Sequence, residues 1–317
     1  MLISRRSFLH LAGGLGVAAP AGLLTPTALQ GATVASRFRF AVIADTHIID
    51  NFYHPPNPNT ETASSVIFSR ESLIRTRTAI HALNPAPDMV FVVGDFFHDY
   101  PSRDYDFYFK NVTRIDHAKA ITDRFKMKVY PGFGNHDYDV PDLDRTFSHR
   151  LVAQKIGIKP YYAVDHKGCR FLMLNNFLGE TWNAANKEAF KKTVGSFGEE
   201  QLQWIESQLA ARKQTFIFTH YPLSIVSATE VKDFGLLPLM KKYADNIHFI
   251  TAGHWHRWHD FKREFGPQHY VMGATRYNAD AYMVVDVDVK AASWEIRNLH
   301  CFHWDSRQTD PYVETRA

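Results

Sequence analysis

Four apolar segments of the sequence each end in an aspartate or a histidine. These residues are Asp45, Asp95, His220 and His254. In sheets whose strands alternate with helices, ligands bind beyond the carboxyl ends of the strands, so we expect these four side chains to meet at one edge. Carboxylate and imidazole ligands without a thiolate favour Mn²⁺, Zn²⁺ or iron over an iron–sulfur cluster or Cu(I). The pattern therefore predicts a metal site.

Three further residues complete the predicted ligand set. His47 and His256 each follow another candidate ligand by two positions, and Asn135 lies in a glycine-rich turn. Four nitrogen or oxygen ligands on each of two ions require about seven protein groups when one carboxylate bridges the ions. Asp95 ends a central strand and is the predicted bridge. The predicted metal ligands are Asp45, His47, Asp95, Asn135, His220, His254 and His256.

A site of this composition suits the hydrolysis of phosphate esters. Two ions about 3.5–4 Å apart share a water, lower its pKa to form a bridging hydroxide, and stabilise an in-line displacement at phosphorus. The leaving alkoxide then needs a proton. His136 adjoins Asn135 without being required as a ligand, so it is the predicted general acid. Asp137 is the predicted partner that orients His136.

Three other residues are candidates for binding the substrate. His98 and Asp99 follow the predicted bridge by three and four positions, and Trp255 lies between the last two histidine ligands. An indole beside the metals could stack on a base or an aryl ester, and it could equally be a packing residue. His98 and Asp99 have the same two interpretations, as pocket residues or as ordinary loop residues.

The elements that position these residues alternate between strand and helix. Apolar strands with intervening helices predict a sheet that helices cover on at least one face. The predicted helices are 65–83, 105–125 and 196–209, the last with Ser196 and Glu199 as a capping box. The predicted strands are 38–44, 89–93, 128–130, 161–164, 170–174, 215–219 and 248–252, followed by a meander of 270–272, 282–289 and 293–299. We find neither a repeat nor a linker after residue 36, so residues 36–317 are predicted to form one domain.

The first 35 residues have the features of an export signal. Arg5 and Arg6 precede Phe8 and Leu9, and this arrangement resembles the twin-arginine signal of bacteria. The apolar stretch that follows contains glycines and is shorter than the roughly 20 residues of a membrane-spanning helix, so we expect no stable span after cleavage. We expect the twin-arginine translocase to deliver the protein to the periplasm or the exterior, with a mature start near Ser36.

Composition and charge narrow the function further. The chain has 317 residues, and its formal net charge is +3. Without the two arginines of the signal, the net charge is +1, so the protein lacks the strongly basic footprint of a nuclease or another nucleic-acid-binding protein. Cys169 and Cys301 are too few for a disulfide framework, although one bridge or two free thiols are both open.

The ordered motifs resemble those of the calcineurin-like metallophosphoesterases. They are Asp45-Thr46-His47, Gly94-Asp95, Gly134-Asn135-His136-Asp137, His220 and Gly253-His254-Trp255-His256. The resemblance covers about residues 37–300 and implies an α/β fold, a four-layer α/β/β/α sandwich of two mixed sheets flanked by helices. It also implies that Asp45, His47, Asp95 and His256 hold one ion, while Asp95, Asn135, His220 and His254 hold the other.

Details within the motifs bear on the subfamily. Purple acid phosphatases carry a tyrosine three residues after the bridging aspartate and a glycine at the first-motif histidine, whereas this chain has His98 and His47 there. The motifs are more similar to those of class III cyclic-nucleotide phosphodiesterases. No Arg or Lys lies within the motifs, which slightly favours small phosphodiesters over monoesters as substrates. The alternative is a non-catalytic scaffold or binding protein that retains the fold.

Overall fold

The computed structural model describes residues 36–57, 60–307 and 309. The predicted export signal, residues 1–35, lies outside these residues. Among the helices that the structure describes, none is both long enough and apolar enough to cross a membrane.

The first sheet has five strands, and the first strand of the described chain, β1, lies at its centre. Its order is β11-β10-β1-β2-β3, with β1, β2 and β3 parallel and β10 and β11 antiparallel to their neighbours. The strands are β1 (Arg37–Ile43), β2 (Met89–Val92), β3 (Lys128–Pro131), β10 (Tyr282–Asp288) and β11 (Ser293–Ile296).

The second sheet holds six strands and is also mixed. Its order is β4-β5-β6-β7-β9-β8, with β5, β6, β7 and β9 parallel and the two edge strands antiparallel. The strands are β4 (Tyr162–His166), β5 (Cys169–Met173), β6 (Gln214–Phe218), β7 (Ile247–Ala252), β8 (His259–Lys262) and β9 (Gln268–Val271).

The two sheets pack face to face through an aromatic core. In β1, Phe38, Phe40 and Val42 belong to this core. Ala41 and Ile43 point the other way and belong to a second core, which lies between the sheets and the helices. This alternation follows from the two-residue period of a strand. The rings of Phe91 and Phe218, from different sheets, stack with centroids 4.4 Å apart. Burying a side chain of this size contributes roughly 1.5–3 kcal/mol, so these strands form a rigid base for the loops at their ends.

Helices cover the outer faces of both sheets. The second core joins residues of the sheets to apolar side chains of α2, α4, α5, α6 and α7. The predicted sandwich of two mixed sheets flanked by helices is therefore confirmed. The helices are α1 (Glu61–Ile67), α2 (Ser69–His81), α3 (Phe107–Lys110), α4 (Arg114–Thr122), α5 (Arg145–Lys155), α6 (Glu199–Ala210) and α7 (Leu236–Lys242).

Several local predictions were wrong in detail. The helix predicted over 105–125 is two helices, because Asn111 is extended and the Asp116 carboxylate accepts the Thr113 N–H at the start of α4. The predicted capping box of α6 does not form, since Glu230 accepts the backbone N–H groups before the helix. The predicted terminal meander is divided between the sheets, with β9 in one and β10 and β11 in the other.

The two cysteines form no disulfide. Cys169 is buried and Cys301 is exposed, and both are free. Of the two alternatives that the sequence left open, the structure shows free thiols.

Candidate metal centre

Five of the seven predicted ligands have a left-handed backbone. Their φ angles lie between 44° and 71°. Residues other than glycine seldom adopt this conformation, and such strain is concentrated at functional sites. It lets the chain turn sharply within four residues of the ends of β1, β2 and β7, where these residues lie. The five residues are Asp45, His47, Asp95, His254 and His256.

One group of predicted ligands forms a compact cluster of oxygen and nitrogen atoms. The Nε2 atom of His47 lies 3.3 Å from Asp95 Oδ2 and 3.3 Å from His256 Nε2. Asp45 Oδ1 completes the cluster at 3.3 Å from His256 Nε2. All four ligand atoms lie within 4.8 Å of one another, which suits a single ion among them. The structure thus brings together Asp45, His47, Asp95 and His256.

The remaining predicted ligands lie on the other side of Asp95. Its Oδ2 atom is 3.2 Å from His220 Nε2, which in turn is 3.1 Å from Asn135 Oδ1. The ring of His254 lies 5.3 Å from the ring of His220, measured between centroids. Asp95 is therefore the residue that the two groups share, as a bridging ligand would be.

The Asp95 carboxylate shows most directly that cations fit this site. Its Oδ1 atom accepts the backbone N–H of His136 at 2.8 Å, whereas its buried Oδ2 atom has no hydrogen-bond partner among the described residues. Leaving a buried carboxylate oxygen unsatisfied is unfavourable, and here that atom faces ligand groups on both sides. An ion on each side of Oδ2 would satisfy it. The residues therefore fit two ions bridged by Asp95.

Glycines beside the site are required by close approach. A Cβ atom at Gly134 would overlap the backbone nitrogen and Oδ1 of Asp95. A Cβ atom at Gly253 would lie 2.5 Å from Asp45 Oδ2 and 3.0 Å from the Val93 carbonyl oxygen. Both glycines allow the loops to converge on the two carboxylates.

Hydrogen bonds fix the orientation of His220. Its Nδ1 atom lies 3.0 Å from the Val93 carbonyl, which can only accept, so Nδ1 carries the proton and Nε2 is the nitrogen left for a metal. The Oδ1 atom of Asn176 accepts the backbone N–H groups of His220 and Tyr221, each at 2.9 Å. Sequence reasoning missed Asn176, although it also follows an apolar strand, β5.

The two buried carboxylates of the site favour positive charge near them. Burial lowers the pKa of His220, but the Asp95 and Asp45 carboxylates outweigh that effect and raise the pKa to about 9. Burial raises the pKa of Asp95, but the His220 and His136 charges hold it below its usual value. Burial is the main cause that lowers the pKa of His254 to about 4, and the neighbouring His220 and His256 lower it further, against the Asp95 and Asp45 carboxylates. The His254 imidazole is therefore neutral at neutral pH and able to bind a metal.

The partner of His136 is Asp99, and the prediction that Asp137 orients His136 was wrong. His136 Nδ1 lies 2.7 Å from Asp99 Oδ1. Asp137 instead accepts the backbone N–H groups of Gly134, Phe96 and Phe97 at 2.7–3.1 Å, so it shapes the turn. Burial lowers the pKa of His136, but the Asp95 and Asp99 charges raise it above its usual value. His136 is thus prepared to donate a proton.

His98 contacts the predicted metal ligand His47. Their Nδ1 atoms lie 2.9 Å apart, and the His98 ring stacks on the ring of His136 at 4.5 Å. His47, His98 and His136 also have ligand atoms within 4.8 Å of one another. Because His98 Nδ1 is engaged with His47 and His136 Nδ1 with Asp99, the clusters that contain carboxylates are the better candidates for metal binding. His98 thus contacts a predicted ligand and Asp99 contacts the predicted proton donor, whereas the sequence left them as substrate-binding or ordinary loop residues.

A buried ion pair ties together the loops that follow β1 and β2. The Arg114 guanidinium donates to both oxygens of Asp50 at 2.9 and 3.0 Å, and it also donates to the His98 carbonyl. Both side chains are almost fully buried. Through the bond from Arg114 to the His98 carbonyl, this ion pair holds the backbone of His98 in place.

The other predicted pocket residue, Trp255, faces away from the ligands. Its ring contacts His259 and Phe261, and the guanidinium of Arg257 lies over it at 5.2 Å. It lines a cavity of about 460 Å³ with Glu61, Arg307 and other residues. The structure does not bring Trp255 together with the predicted ligands.

A cation that the sequence motifs do not contain lies beside the site. Arg276 is 4 % exposed, and its Nη2 atom lies 3.4 Å from His256 Nδ1. It is twenty residues beyond the last motif, so a search restricted to the motifs misses it. The signal in the sequence is weak, because a single arginine in a loop is usually exposed.

Comparisons with known proteins agree with this geometry. The family model described as calcineurin-like phosphoesterase matches residues 38–258. No curated protein matches the chain. A dimetal phosphatase from Danio rerio is 18% identical in sequence, with a TM-score of 0.52 over 78% of this chain and 92% of that one. A purple acid phosphatase from yellow lupin seeds is 16% identical, with a TM-score of 0.48 over 79% of this chain and 49% of that one.

The family match extends over both groups of ligands up to His256, and the D. rerio structure supports the fold alone. With carboxylates and imidazoles that could hold a metal ion at the strand ends, the chain belongs to the calcineurin-like phosphoesterase family and is a hydrolase acting on phosphoric ester bonds.

Proposed function

We propose that the protein hydrolyses a small-molecule phosphate ester with two metal ions, bridged by Asp95. The buried Oδ2 atom of Asp95, which lacks a hydrogen bond and lies between two ligand groups, is the observation that carries this proposal. Bound there, the ions would activate water and stabilise the charge that develops at phosphorus. The oxygen and imidazole donors suit Mn²⁺, Zn²⁺ or iron.

The protein's own residues would supply the proton for the leaving group. With Nδ1 of His136 on Asp99, its Nε2 atom is the nitrogen free to face a substrate. The side chain of His136 is 31% exposed, so it is accessible from the rim of the site. Asp99 would hold the imidazole in one orientation and stabilise its protonated form, from which the proton passes to the alkoxide oxygen.

The class of ester is a separate question. The motifs resemble those of class III phosphodiesterases, and the preference for diesters rested on the absence of Arg or Lys from the motifs. Arg276, buried beside His256, removes that reason. The D. rerio protein that resembles this chain in fold is a dimetal phosphatase, so we keep both phosphomonoesters and phosphodiesters as candidate substrates.

A panel of substrates and metals tests the proposal. Metal-free protein is reconstituted with Mn²⁺, Zn²⁺ or Fe²⁺ and assayed on p-nitrophenyl phosphate and bis-p-nitrophenyl phosphate. We expect hydrolysis of at least one ester that depends on metal and is lost in Asp95→Asn. If no metal supports hydrolysis of either ester or of alkyl and nucleotide phosphates, the non-catalytic alternative replaces this proposal.

We further propose that residues 1–35 direct export through the twin-arginine translocase to the periplasm or the exterior, leaving a single domain from Ser36. Arg5-Arg6 and the apolar stretch after them support this proposal. Replacing both arginines by lysine in the full chain tests it. We expect the unprocessed chain to accumulate in the cytoplasm, and normal export of the variant would contradict the proposal.

A further inference from the structure

Arg276 is a buried cation without a counter-charge. Arg276 is 4 % exposed, yet the side-chain hydrogen bonds it makes within the described part of the chain go to His256 and Tyr277, neither of which is a carboxylate. Its Nε atom is buried and has no hydrogen-bond partner in that part of the chain. Removing a charge from water is costly unless an opposite charge or hydrogen bonds compensate. An arginine in this state is prepared for an anion that the protein itself does not provide.

The neighbours of Arg276 do not provide that compensation. The guanidinium lies 4.7 Å from the centroid of the Tyr277 ring, but the guanidinium of Arg307 lies over the same ring at 4.8 Å. Two cations at one ring repel each other. Arg276 Nη2 also donates to the Tyr277 hydroxyl at 3.1 Å, which leaves Nε unsatisfied.

The contact between Arg276 and His256 is not compatible with a bound metal. His256 directs Nε2 at Asp45 Oδ1, so Nε2 is the nitrogen that would bind an ion. A neutral imidazole that binds through Nε2 carries its proton on Nδ1. The N–H at Nδ1 would then face the N–H of Arg276, and two donors cannot bond to each other. Binding of a metal would therefore release this part of the guanidinium for another acceptor.

The backbone and the side chain of Arg276 both contact predicted ligands. Its backbone N–H donates to the Asp45 carbonyl at 3.3 Å, and its Nη2 atom lies 3.4 Å from His256 Nδ1. The guanidinium is therefore next to the group of ligands formed by Asp45, His47, Asp95 and His256.

We propose that Arg276 binds the anionic oxygens of the substrate's phosphoryl group and so favours phosphomonoesters, which carry two negative charges, over diesters, which carry one. This inference rests on the proposed function. Two divalent ions would outweigh the negative charges of Asp45 and Asp95, and Arg276 would add a further positive charge. A guanidinium can donate two parallel hydrogen bonds to a phosphate, which a lysine cannot.

Binding of inorganic phosphate and hydrolysis of two esters with the same leaving group test the inference. The metal-loaded wild type, Arg276→Gln and Arg276→Lys are titrated calorimetrically with phosphate and with dimethyl phosphate, a monoanion. They are then assayed on p-nitrophenyl phosphate and bis-p-nitrophenyl phosphate. For Arg276→Gln we expect roughly ten- to hundredfold weaker phosphate binding and a similar loss of kcat/KM on the monoester. On the diester we expect a loss below about threefold, and Arg276→Lys should be intermediate on the monoester.

The matched control is Arg257→Gln, which removes an exposed arginine next to His256 and should change both esters by less than about twofold. Measurements of metal content and thermal unfolding show whether each variant is folded. If Arg276→Gln is unfolded, the comparison of Arg276→Lys with the wild type tests the inference. Equal losses on both esters, or unchanged phosphate binding, would overturn the inference and leave the proposed function intact. Phosphate binding that depends on Arg276, in a protein that hydrolyses neither these esters nor alkyl and nucleotide phosphates, would refute the proposed function alone.

Discussion

The Nδ1 atom of His98 lies 2.9 Å from Nδ1 of His47, and this contact leaves His47 Nε2 facing Asp95 Oδ2 at 3.3 Å. With an ion on Nε2, the Nδ1–H of His47 would donate to His98. Burial is the main reason that the pKa of His98 is lowered to about 3, so His98 is neutral and can accept. Beneath them, Arg114 holds the His98 carbonyl.

Replacing His98 by alanine should therefore weaken metal binding without removing a ligand. Partners that orient metal-binding histidines typically contribute about 10–100-fold in metal affinity or activity. Competition with a chelator measures the affinity, and we expect one of the two ions to be lost first. The control is His300→Ala, which replaces an exposed histidine. Equal metal affinity in wild type and His98→Ala would show that the contact has no role in binding.

The pair of His136 and Asp99 predicts a change in pH dependence. Asp99 helps to raise the pKa of His136, and a general acid is active only while protonated. In Asp99→Asn the pKa of His136 falls, so the alkaline limb of kcat should move to lower pH. A profile of kcat against pH measures this, and an unmoved alkaline limb would exclude Asp99 as the partner.

His136→Gln should slow the reaction by roughly 10²–10⁴-fold, because a positioned acid contributes about that much. The loss should be greater for an alkyl phosphate than for p-nitrophenyl phosphate, whose leaving group needs less protonation. Comparison of kcat for the two esters separates these cases. An equal loss on both would assign His136 a positioning role only.

Sequence alone predicts which residues meet at this edge of the sheets, because these residues follow a local rule. Apolar strands can be recognised from their composition. The residues that follow each strand lie at the carboxyl edge of the sheet, where ligands bind, and this placement does not depend on the rest of the chain. The partner of His136 could not be predicted in this way, since Asp137 is nearer in sequence but turns back onto Gly134 N–H. Arg276 was missed because its position depends on how the loop after β9 packs, and no motif records that.

The buried pair of Asp50 and Arg114 predicts a large effect on stability. Asp50→Asn leaves a buried guanidinium without its counter-charge, which should lower the free energy of unfolding by about 3–5 kcal/mol. Burial raises the pKa of Asp50, but the bonds from Arg114 lower it overall. The stabilisation is therefore present above the carboxyl's unfolded pKa and is lost as the pH falls through its folded pKa.

Urea unfolding at neutral and acidic pH measures this effect. The control is Asp288→Asn, whose partner Arg37 has a side chain that is 82% exposed, and it should change the stability far less than Asp50→Asn does. If the two variants are equally stable at neutral pH, the buried pair does not brace the loops.

The close approach of Gly253 to Asp45 predicts a selective loss of metal. In Gly253→Ala, the new Cβ would displace Asp45 Oδ2, so we expect fewer ions per chain while the protein stays folded. Gly157→Ala is the control, because nothing lies within 4 Å of its Cβ and only backbone strain is added. Elemental analysis and thermal unfolding distinguish these effects. Full metal content in Gly253→Ala would contradict the placement of Asp45.

The central claim is that Asp95 bridges two ions, and the number of ions per chain tests it most directly. Elemental analysis of the reconstituted protein, with bound metal counted against protein concentration, should give about two ions for the wild type. Asp95→Asn keeps the size of the side chain but weakens both groups of ligands, so it should lose both ions together. One ion per chain in the wild type, or the loss of only one ion in Asp95→Asn, would contradict the bridged site.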